Sequence, residues 1–142
     1  MTNSYFDGSV WCNIDVALRH LELIYKEEAE KFGLSVIEWY VLRALYEQDG
    51  QMPSQLAHAV GRPATSFTPI LDHIEKQILI KRTQHPADRR AVIIHLTDQG
   101  RALEEQIKAG AARIDDTLRR KFMEKEWKSY EAVVVNLQRM SP

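Results

Sequence analysis

Basic side chains are concentrated in one segment of the chain, between His58 and Arg90. The segment contains six lysines and arginines, which are Arg62, Lys76, Lys81, Arg82, Arg89 and Arg90. Its acidic residues are Asp72, Glu75 and Asp88. The segment therefore has a formal charge of +3, whereas the whole chain of 142 residues has −1. A basic segment inside an otherwise acidic protein predicts one surface that binds an anionic partner.

Two short helices are predicted to position this basic segment. Pro53 is a favourable first helical residue, apolar residues follow at helical spacing, and Gly61 ends the element. A second helix is predicted over residues 63–77. Its apolar face consists of Phe67, Ile70, Leu71, Ile74 and Ile78. Two short helices joined by a glycine turn indicate a helix-turn-helix.

A β-hairpin with a basic tip is predicted directly after these helices. Residues 79–84 and 91–96 are rich in β-branched residues, and they flank a polar turn that contains Arg89 and Arg90. Thr97 then provides a cap for a long helix. A helix-turn-helix followed by such a hairpin is the arrangement of a winged helix.

Long amphipathic helices are predicted on both sides of this central module. The first spans residues 10–31, and the last spans residues 124–138. Between the first helix and the module, Ser35 and Glu38 form a capping-box pattern. The flanking apolar stripes exceed what the small module can cover, which predicts a homodimer.

The predicted fold is mainly α, with a small β-hairpin wing. Residues 1–34 are predicted to form an N-terminal dimerisation helix, residues 35–100 the winged helix-turn-helix, and residues 101–142 the C-terminal dimerisation helices.

Composition and motifs exclude several other classes of protein. Hydrophobic residues make up 44% and charged residues 27%, as in ordinary globular domains. No apolar run approaches the ~18–20 residues of a membrane span, and residues 1–10 do not resemble a signal sequence. We therefore expect a cytoplasmic protein without membrane contact. The sequence has no catalytic or cofactor-binding fingerprint, and its five histidines lack metal-ligand spacing, so we expect neither an enzyme nor a metal or cofactor.

Several stretches of the chain match the pattern of a known family. They are Leu34-Ser35, residues 42–45, residues 55–61, Ser66-Phe67-Thr68 and residues 71–76. The most specific match is Asp88-Arg89-Arg90 followed by Leu96-Thr97-Asp98-Gln99-Gly100. On these motifs, residues 33–107 resemble the MarR family of dimeric bacterial winged-helix regulators. The resemblance implies that the partner is double-stranded DNA.

The resemblance also implies roles for residues of the wing and of the second short helix. Asp88 would orient Arg90, which enters the DNA minor groove, and we expect Arg89 to contact phosphate. The expected groove-facing residues are Thr65, Ser66, Thr68 and His73, with Arg62 on the DNA backbone. These side chains are short or weakly basic, so we expect modest direct base readout.

Pro69 and Ile78 depart from the family pattern. Pro69 stands where a basic residue is usual, and a proline inside a helix removes one hydrogen bond and tends to kink the helix. The sequence leaves the effect of Pro69 on this helix open. Ile78 stands where glycine is frequent. Because a β-branched residue resists a left-handed conformation, the helix is expected to end differently there.

The family's usual signals, small phenolic or lipophilic ligands and oxidation, give two hypotheses for control. Candidate residues for a pocket that binds an aromatic or lipophilic effector are Trp11, His20, Tyr25, Trp39 and Tyr40. Aromatic residues at helical spacing, however, more often form part of the core. Cys12 is a candidate redox sensor, although it lies one residue from the position used by the family's hydroperoxide-sensing branch. An inert structural cysteine is the alternative.

The sequence thus predicts a dimeric, sequence-specific DNA-binding transcriptional regulator. We expect a repressor of a pseudo-palindromic operator that a small-molecule effector releases. One alternative is a redox-responsive regulator that senses through Cys12. The other is a winged-helix protein-interaction module with weak DNA binding, which Pro69 and the weakly basic second helix favour.

Overall fold

Seven α-helices and one antiparallel pair of strands form the described part of the chain. The computed structural model describes residues 5–141, so residues 1–4 of the predicted N-terminal segment lie outside it. The helices are α1 (Val10–Glu30), α2 (Val36–Glu47), α3 (Pro53–Ala59), α4 (Phe67–Lys76), α5 (Asp98–Ala102), α6 (Glu104–Arg119) and α7 (Glu124–Arg139). The strands are β1 (Ile80–Gln84) and β2 (Val92–Leu96). The predicted fold, mainly α with a hairpin wing, is confirmed.

The beginnings of three helices follow from local sequence signals. The Ser35 hydroxyl accepts a hydrogen bond from the Glu38 amide at 3.3 Å, and Pro53 is the first residue of α3. The Thr97 hydroxyl accepts a hydrogen bond from the Gly100 amide at 3.0 Å. Only the serine half of the predicted capping box forms, since the Glu38 carboxylate turns to His73.

A single apolar core joins the helix-turn-helix to the wing. Its fully buried side chains include Leu42, Leu45, Leu56, Phe67, Leu71, Ile74, Ile80 and Ile94. In the hairpin, Ile80 pairs with Leu96, and Gln84 pairs with Val92. Gln51 adds an isolated antiparallel bridge to Ile94, which fastens the segment before α3 to the wing.

Pro69 does not interrupt the second short helix. A 3₁₀ turn over Ala64–Ser66 precedes α4, which begins at Phe67 rather than at residue 63. Pro69 is therefore the third helical residue. Amides in the first turn of a helix have no intrahelical acceptor, so proline removes no helical hydrogen bond there.

The prediction that Ile78 changes the end of α4 is wrong. Ile78 adopts the left-handed conformation usual for glycine, with a φ of 62°. Its amide donates to the Glu75 carbonyl at 2.9 Å, and the Leu79 amide donates to the Ile74 carbonyl at 3.3 Å. This conformation costs a non-glycine residue roughly 1–2 kcal/mol. The buried Ile74 and Leu79 on either side hold the chain in this turn.

The flanking helices bury only part of their apolar faces. Helix α6 packs on the core through Ile107 and Ala111, whereas no residue of α7 is fully buried. The helix predicted to begin at Thr97 is divided at Leu103 into α5 and α6, so the domain boundary predicted at residue 100 falls inside α5. None of the helices described over residues 5–141 is long and apolar enough to cross a membrane.

Candidate nucleic-acid interface

The wing tip presents two arginines on a turn that Asp88 closes. The Asp88 carboxylate accepts a hydrogen bond from the Arg90 amide at 2.9 Å. The main-chain carbonyl of Asp88 accepts a hydrogen bond from the Ala91 amide at 3.1 Å. Gln84 donates to the Arg89 carbonyl at 3.2 Å. Both arginine side chains are exposed, and within residues 5–141 neither has a carboxylate within 4.0 Å.

Asp88 therefore acts on Arg90 through the main chain. The expected contact between its carboxylate and the Arg90 guanidinium is absent from the described structure. The turn fixes where the Arg90 side chain leaves the backbone and leaves its guanidinium free to bind an anion.

The base of the wing is anchored by Asp49, a residue that the sequence analysis did not identify. Its carboxylate accepts hydrogen bonds from the Leu96 amide at 2.8 Å and the Gly50 amide at 3.0 Å, and it pairs with Arg101. One side chain thus joins the end of α2, the end of β2 and helix α5. In the sequence, an Asp-Gly pair such as Asp49-Gly50 indicates only a turn or the end of a helix.

The motif from Leu96 to Gly100 forms a close junction between the wing and α5. The Thr97 hydroxyl donates to the Ile78 carbonyl while it accepts from the Gly100 amide. A Cβ atom at Gly100 would overlap the Leu79 carbonyl oxygen. Glycine is therefore required for this approach, and threonine ties the junction to the end of α4.

The exposed residues near the start of α4 are polar and uncharged. Thr65, Ser66 and Thr68 are all exposed, and the Ser66 hydroxyl donates to the Pro63 carbonyl at 2.9 Å. Such hydroxyl and methyl groups bind phosphates and thymine methyls, but they do not make the bidentate guanine contact of arginine.

Arg62 and His73 are paired with carboxylates of neighbouring helices. Arg62 Nη2 lies 3.6 Å from Glu22 Oε1 on α1. His73 Nδ1 lies 2.6 Å from Glu38 Oε2 on α2. His73, predicted to face the groove, is exposed, and its imidazole is hydrogen-bonded to α2.

Arg82 is paired as well, with two acidic residues of α4. Its guanidinium lies 2.7 Å from Asp72 Oδ1 and 2.6 Å from Glu75 Oε1. Within the described residues, the cations of the basic segment that have no carboxylate within 4.0 Å are Lys76, Lys81, Arg89 and Arg90. The positive charge that the sequence spreads over the segment is thus concentrated at these four side chains.

A cavity of about 660 Å³ lies between α1, α6 and α7. Of the five predicted pocket residues, His20 and Tyr25 line it, together with residues that the sequence analysis missed, such as Trp127. The Tyr25 hydroxyl donates to Asp115. Burial, reinforced by this carboxylate, raises the pKa of Tyr25 above its usual range.

The other three predicted pocket residues and Cys12 lie elsewhere. Trp11 is 75% exposed, Tyr40 is 44% exposed, and Trp39 is buried in the core with its ring centroid 5.5 Å from that of Tyr25. The prediction that these three line the cavity is wrong. Cys12 is half-buried in the first turn of α1. The structure described over residues 5–141 has no group of three or more metal-ligating side chains.

Comparison with known proteins identifies the family. Residues 34–92 match the model of the MarR family. The matched segment is a MarR-family module. It is similar to the HTH-type transcriptional regulator YsmB of Bacillus subtilis, with 27% identity over 131 residues that cover 89% of each protein.

Solved structures share the fold of this chain at lower identity. BpsR of Bordetella bronchiseptica, described with regulation of its DNA binding by 6-hydroxynicotinic acid, has a TM-score of 0.85 at 20% identity and covers 99% of this chain and 100% of its own. The MepR–DNA complex of Staphylococcus aureus has a TM-score of 0.79 at 22% identity over 91% of this chain and 95% of its own. The family and its relatives are transcriptional regulators, which points to a protein that is not an enzyme.

Proposed function

We propose that this chain is a dimeric repressor that binds a pseudo-palindromic operator and is released by a small aromatic or lipophilic effector. The observation that carries the DNA-binding part is the wing tip. Arg89 and Arg90 are exposed there without a carboxylate partner in the described structure, on a turn that Asp88 closes. A narrow minor groove has a strong negative potential, which attracts such guanidinium groups.

The two parts of the interface have different tasks in this proposal. The wing places Arg90 in the minor groove and Arg89 on phosphate, while Thr65 and Thr68 meet the major groove. Support comes from the same fold in MepR, which has been solved as a DNA complex. Most of the affinity then comes from contacts to the DNA backbone, and α4 contributes a smaller term that depends on base sequence.

Exposed apolar side chains on the flanking helices support the dimer. On α1 they include Trp11, Ile14, Leu21 and Leu23, and on α7 they include Tyr130, Val133 and Leu137. An apolar surface of this extent on a small domain marks an interface. A second copy of the chain covers both helices and brings two winged helices onto one duplex.

Selection from a random pool of duplex DNA tests this function. Purified protein at near-physiological salt is expected to enrich an inverted repeat whose half-sites are about 10 base pairs apart, one helical turn. Sedimentation of the protein on the selected duplex is expected to give two chains per duplex. If no sequence is enriched even at low salt, DNA binding is disproved and the protein-interaction module becomes the better proposal.

The protein-interaction alternative has lost one of its two supports. Pro69 favoured this alternative because a proline can kink a helix, yet it lies in the first turn of a regular helix. The other support remains, because the exposed residues Thr65, Ser66 and Thr68 near the start of α4 are uncharged.

The effector is proposed to bind the cavity between α1, α6 and α7. His20 and Tyr25 supply polar groups there, and Trp127 contributes an aromatic wall. Support comes from BpsR, whose DNA binding is described as regulated by 6-hydroxynicotinic acid. Small aromatic compounds are expected to quench tryptophan fluorescence and to release the selected duplex. A Leu118→Trp variant, which fills the cavity, is expected to lose this release while it still binds DNA.

The redox alternative is tested on Cys12. A Cys12→Ser variant is expected to bind DNA and to respond to the effector as wild type does. If hydroperoxide releases DNA from wild type but not from this variant, the redox-responsive alternative replaces the proposed effector.

A further inference from the structure

Glu38 is an acidic residue in an unusual position. It lies on α2 between residues of the core face, and the residue is only 8% exposed. The hydrogen bond of its carboxylate in the described structure is to His73 Nδ1, at 2.6 Å. A carboxylate removed from water is costly unless a partner satisfies it, so this contact holds the two helices together.

A second contact supports the same flank of α4. Gln77 lies one helical turn after His73, and its amide donates to the Gly33 carbonyl at 2.7 Å. Both contacts therefore join one flank of α4 to α2 and to the turn that precedes α2.

The opposite flank of α4 is held by the wing. Asp72 and Glu75 lie there, and both are bound to Arg82 of β1. Helical geometry places the exposed Pro69 and Lys76 between the two flanks. The outer face of α4 is thus fixed from two sides, by the wing through Arg82 and by α2 through His73.

We infer that His73 is a positioning residue for DNA recognition rather than a DNA contact. Its hydrogen bond to Glu38 sets the rotation of α4 about its own axis, and thereby the direction in which Thr68 faces the duplex and the placement of the preceding turn that carries Thr65. Side chains lie about 5–6 Å from a helix axis, so a rotation of about 20° displaces them by roughly 2 Å. That distance is enough to break a hydrogen bond to DNA. The inference rests on the proposed DNA-binding function.

The direction in which DNA affinity changes when the Glu38 carboxylate is removed distinguishes a positioning role from a purely electrostatic effect. Removing a negative charge near DNA strengthens binding when the only effect is Coulombic. If Glu38 positions α4 through His73, removing its carboxylate weakens binding instead.

A double-mutant cycle on the selected duplex tests the inference. We expect His73→Ala and Glu38→Ala each to weaken binding roughly tenfold, and the double variant to be no weaker than either single variant. His73→Asn keeps an N–H donor near the position of Nδ1, so it is expected to restore affinity to within about threefold of wild type. Thermal denaturation of each variant confirms that it is folded.

The salt dependence distinguishes a positioning residue from a phosphate contact. For His73→Ala we expect the wild-type slope of log K against log salt, because no phosphate contact is lost. The matched control is Lys76→Ala, which removes an exposed, unpaired cation from the same helix and is expected to reduce the slope by about 0.9 if Lys76 binds a phosphate.

Several results would overturn the inference. They include a reduced salt slope for His73→Ala, tighter binding by Glu38→Ala, and additive effects in the double variant. If Glu38→Ala does not fold, the comparison of His73→Ala with His73→Asn decides, since equal affinities exclude a role for the hydrogen bond. Failure of the wild-type protein to bind any duplex overturns the proposed function itself, whereas wild-type binding with unaffected variants overturns only this inference.

Discussion

In the part of the chain that the structure describes, the cations of the wing tip have no carboxylate partner, whereas most cations around helix α4 are paired, with Lys76 as the exception. On the wing tip, Arg89 and Arg90 are exposed, and no carboxylate of the described residues lies within 4.0 Å. Around α4, the cations Arg62 and Arg82 and the imidazole of His73 are each paired with an acidic side chain of the same chain. Formal charge along the sequence therefore does not show which part of the module attracts DNA.

This difference implies two kinds of contribution to binding. Free arginines attract any phosphate backbone, so the wing contributes affinity that depends strongly on salt. The uncharged hydroxyls near the start of α4 are expected to contribute little attraction but to discriminate between base sequences once the helix is in place. Variants that change one region are expected to leave the contribution of the other intact.

The largest effect is expected from Arg82→Ala. It leaves Asp72 and Glu75 without their partner, so two negative charges face the duplex from α4. We expect affinity for the selected duplex to fall roughly 100-fold, because like charges brought together at an interface cost several kcal/mol. Fluorescence anisotropy measures the loss, and circular dichroism checks the fold. Arg82→Lys, which keeps the charge, is the matched control, and binding by Arg82→Ala within threefold of wild type would contradict the neutralising role.

Arg90→Ala is expected to have the next largest effect. It removes one free guanidinium from the wing, so affinity is expected to fall about tenfold and the salt slope by about 0.9. Titrations at several salt concentrations give both values. Arg120→Ala serves as the control, since Arg120 is an exposed arginine at the end of α6 and outside the module. An unchanged slope for Arg90→Ala would show that the wing does not carry the charge-dependent part of binding.

Smaller changes in affinity, but a change in specificity, are expected for Thr65→Ala and Thr68→Ala. Each is expected to weaken binding to the selected duplex by about three- to fivefold and to leave non-specific DNA binding unchanged, because uncharged side chains do not contribute to counterion release. Competition between selected and random duplexes measures the ratio. Thr83→Ala, at an exposed threonine of β1, is the control. Equal losses of affinity for the selected and the random duplex would show that these threonines do not contribute to sequence specificity.

The smallest effect on DNA binding is expected from a substitution of Ile78, at the junction of the two regions. This substitution is expected to change the stability of the protein instead. Ile78→Gly relieves the left-handed backbone, so we expect the free energy of unfolding to rise by about 1 kcal/mol with DNA affinity unchanged. Ile78→Ala, which keeps a Cβ atom, is expected to gain little. Urea denaturation distinguishes the two variants, and a destabilised glycine variant would show that the exposed isoleucine side chain stabilises the junction.

Local signals made much of the fold predictable. Ser35, Pro53 and Thr97 act through contacts within a few residues, so the beginnings of their helices follow from sequence alone. The beginning of α4 does not, because Pro63 and Pro69 both suit a first turn and a 3₁₀ turn fits between them. At Ile78 the local rule favours a different helix end, and the buried neighbours of the turn override it.

The candidate site was predictable at the level of segments but not of side-chain partners. The basic segment and the wing follow from composition and from the motif around Asp88. The pairs of Arg62 with Glu22 and of His73 with Glu38 join residues far apart in sequence, and only the packing of α1, α2 and the module brings them together. The cavity residues were missed in part for the same reason, since α7 meets α1 only in the folded chain.

The three contacts of Asp49 fix the base of the wing at the end of α2, so the wing can tilt about this point. The hairpin extends five residues on each strand beyond this point, or roughly 17 Å at the usual rise of a strand. A tilt of the wing by about 10° at its base moves the tip by roughly 3 Å, which is half the width of a minor groove of about 6 Å. Because Arg101 of α5 pairs with the same carboxylate, we expect a small displacement of α5 against α2 to withdraw Arg90 from the minor groove of the proposed complex.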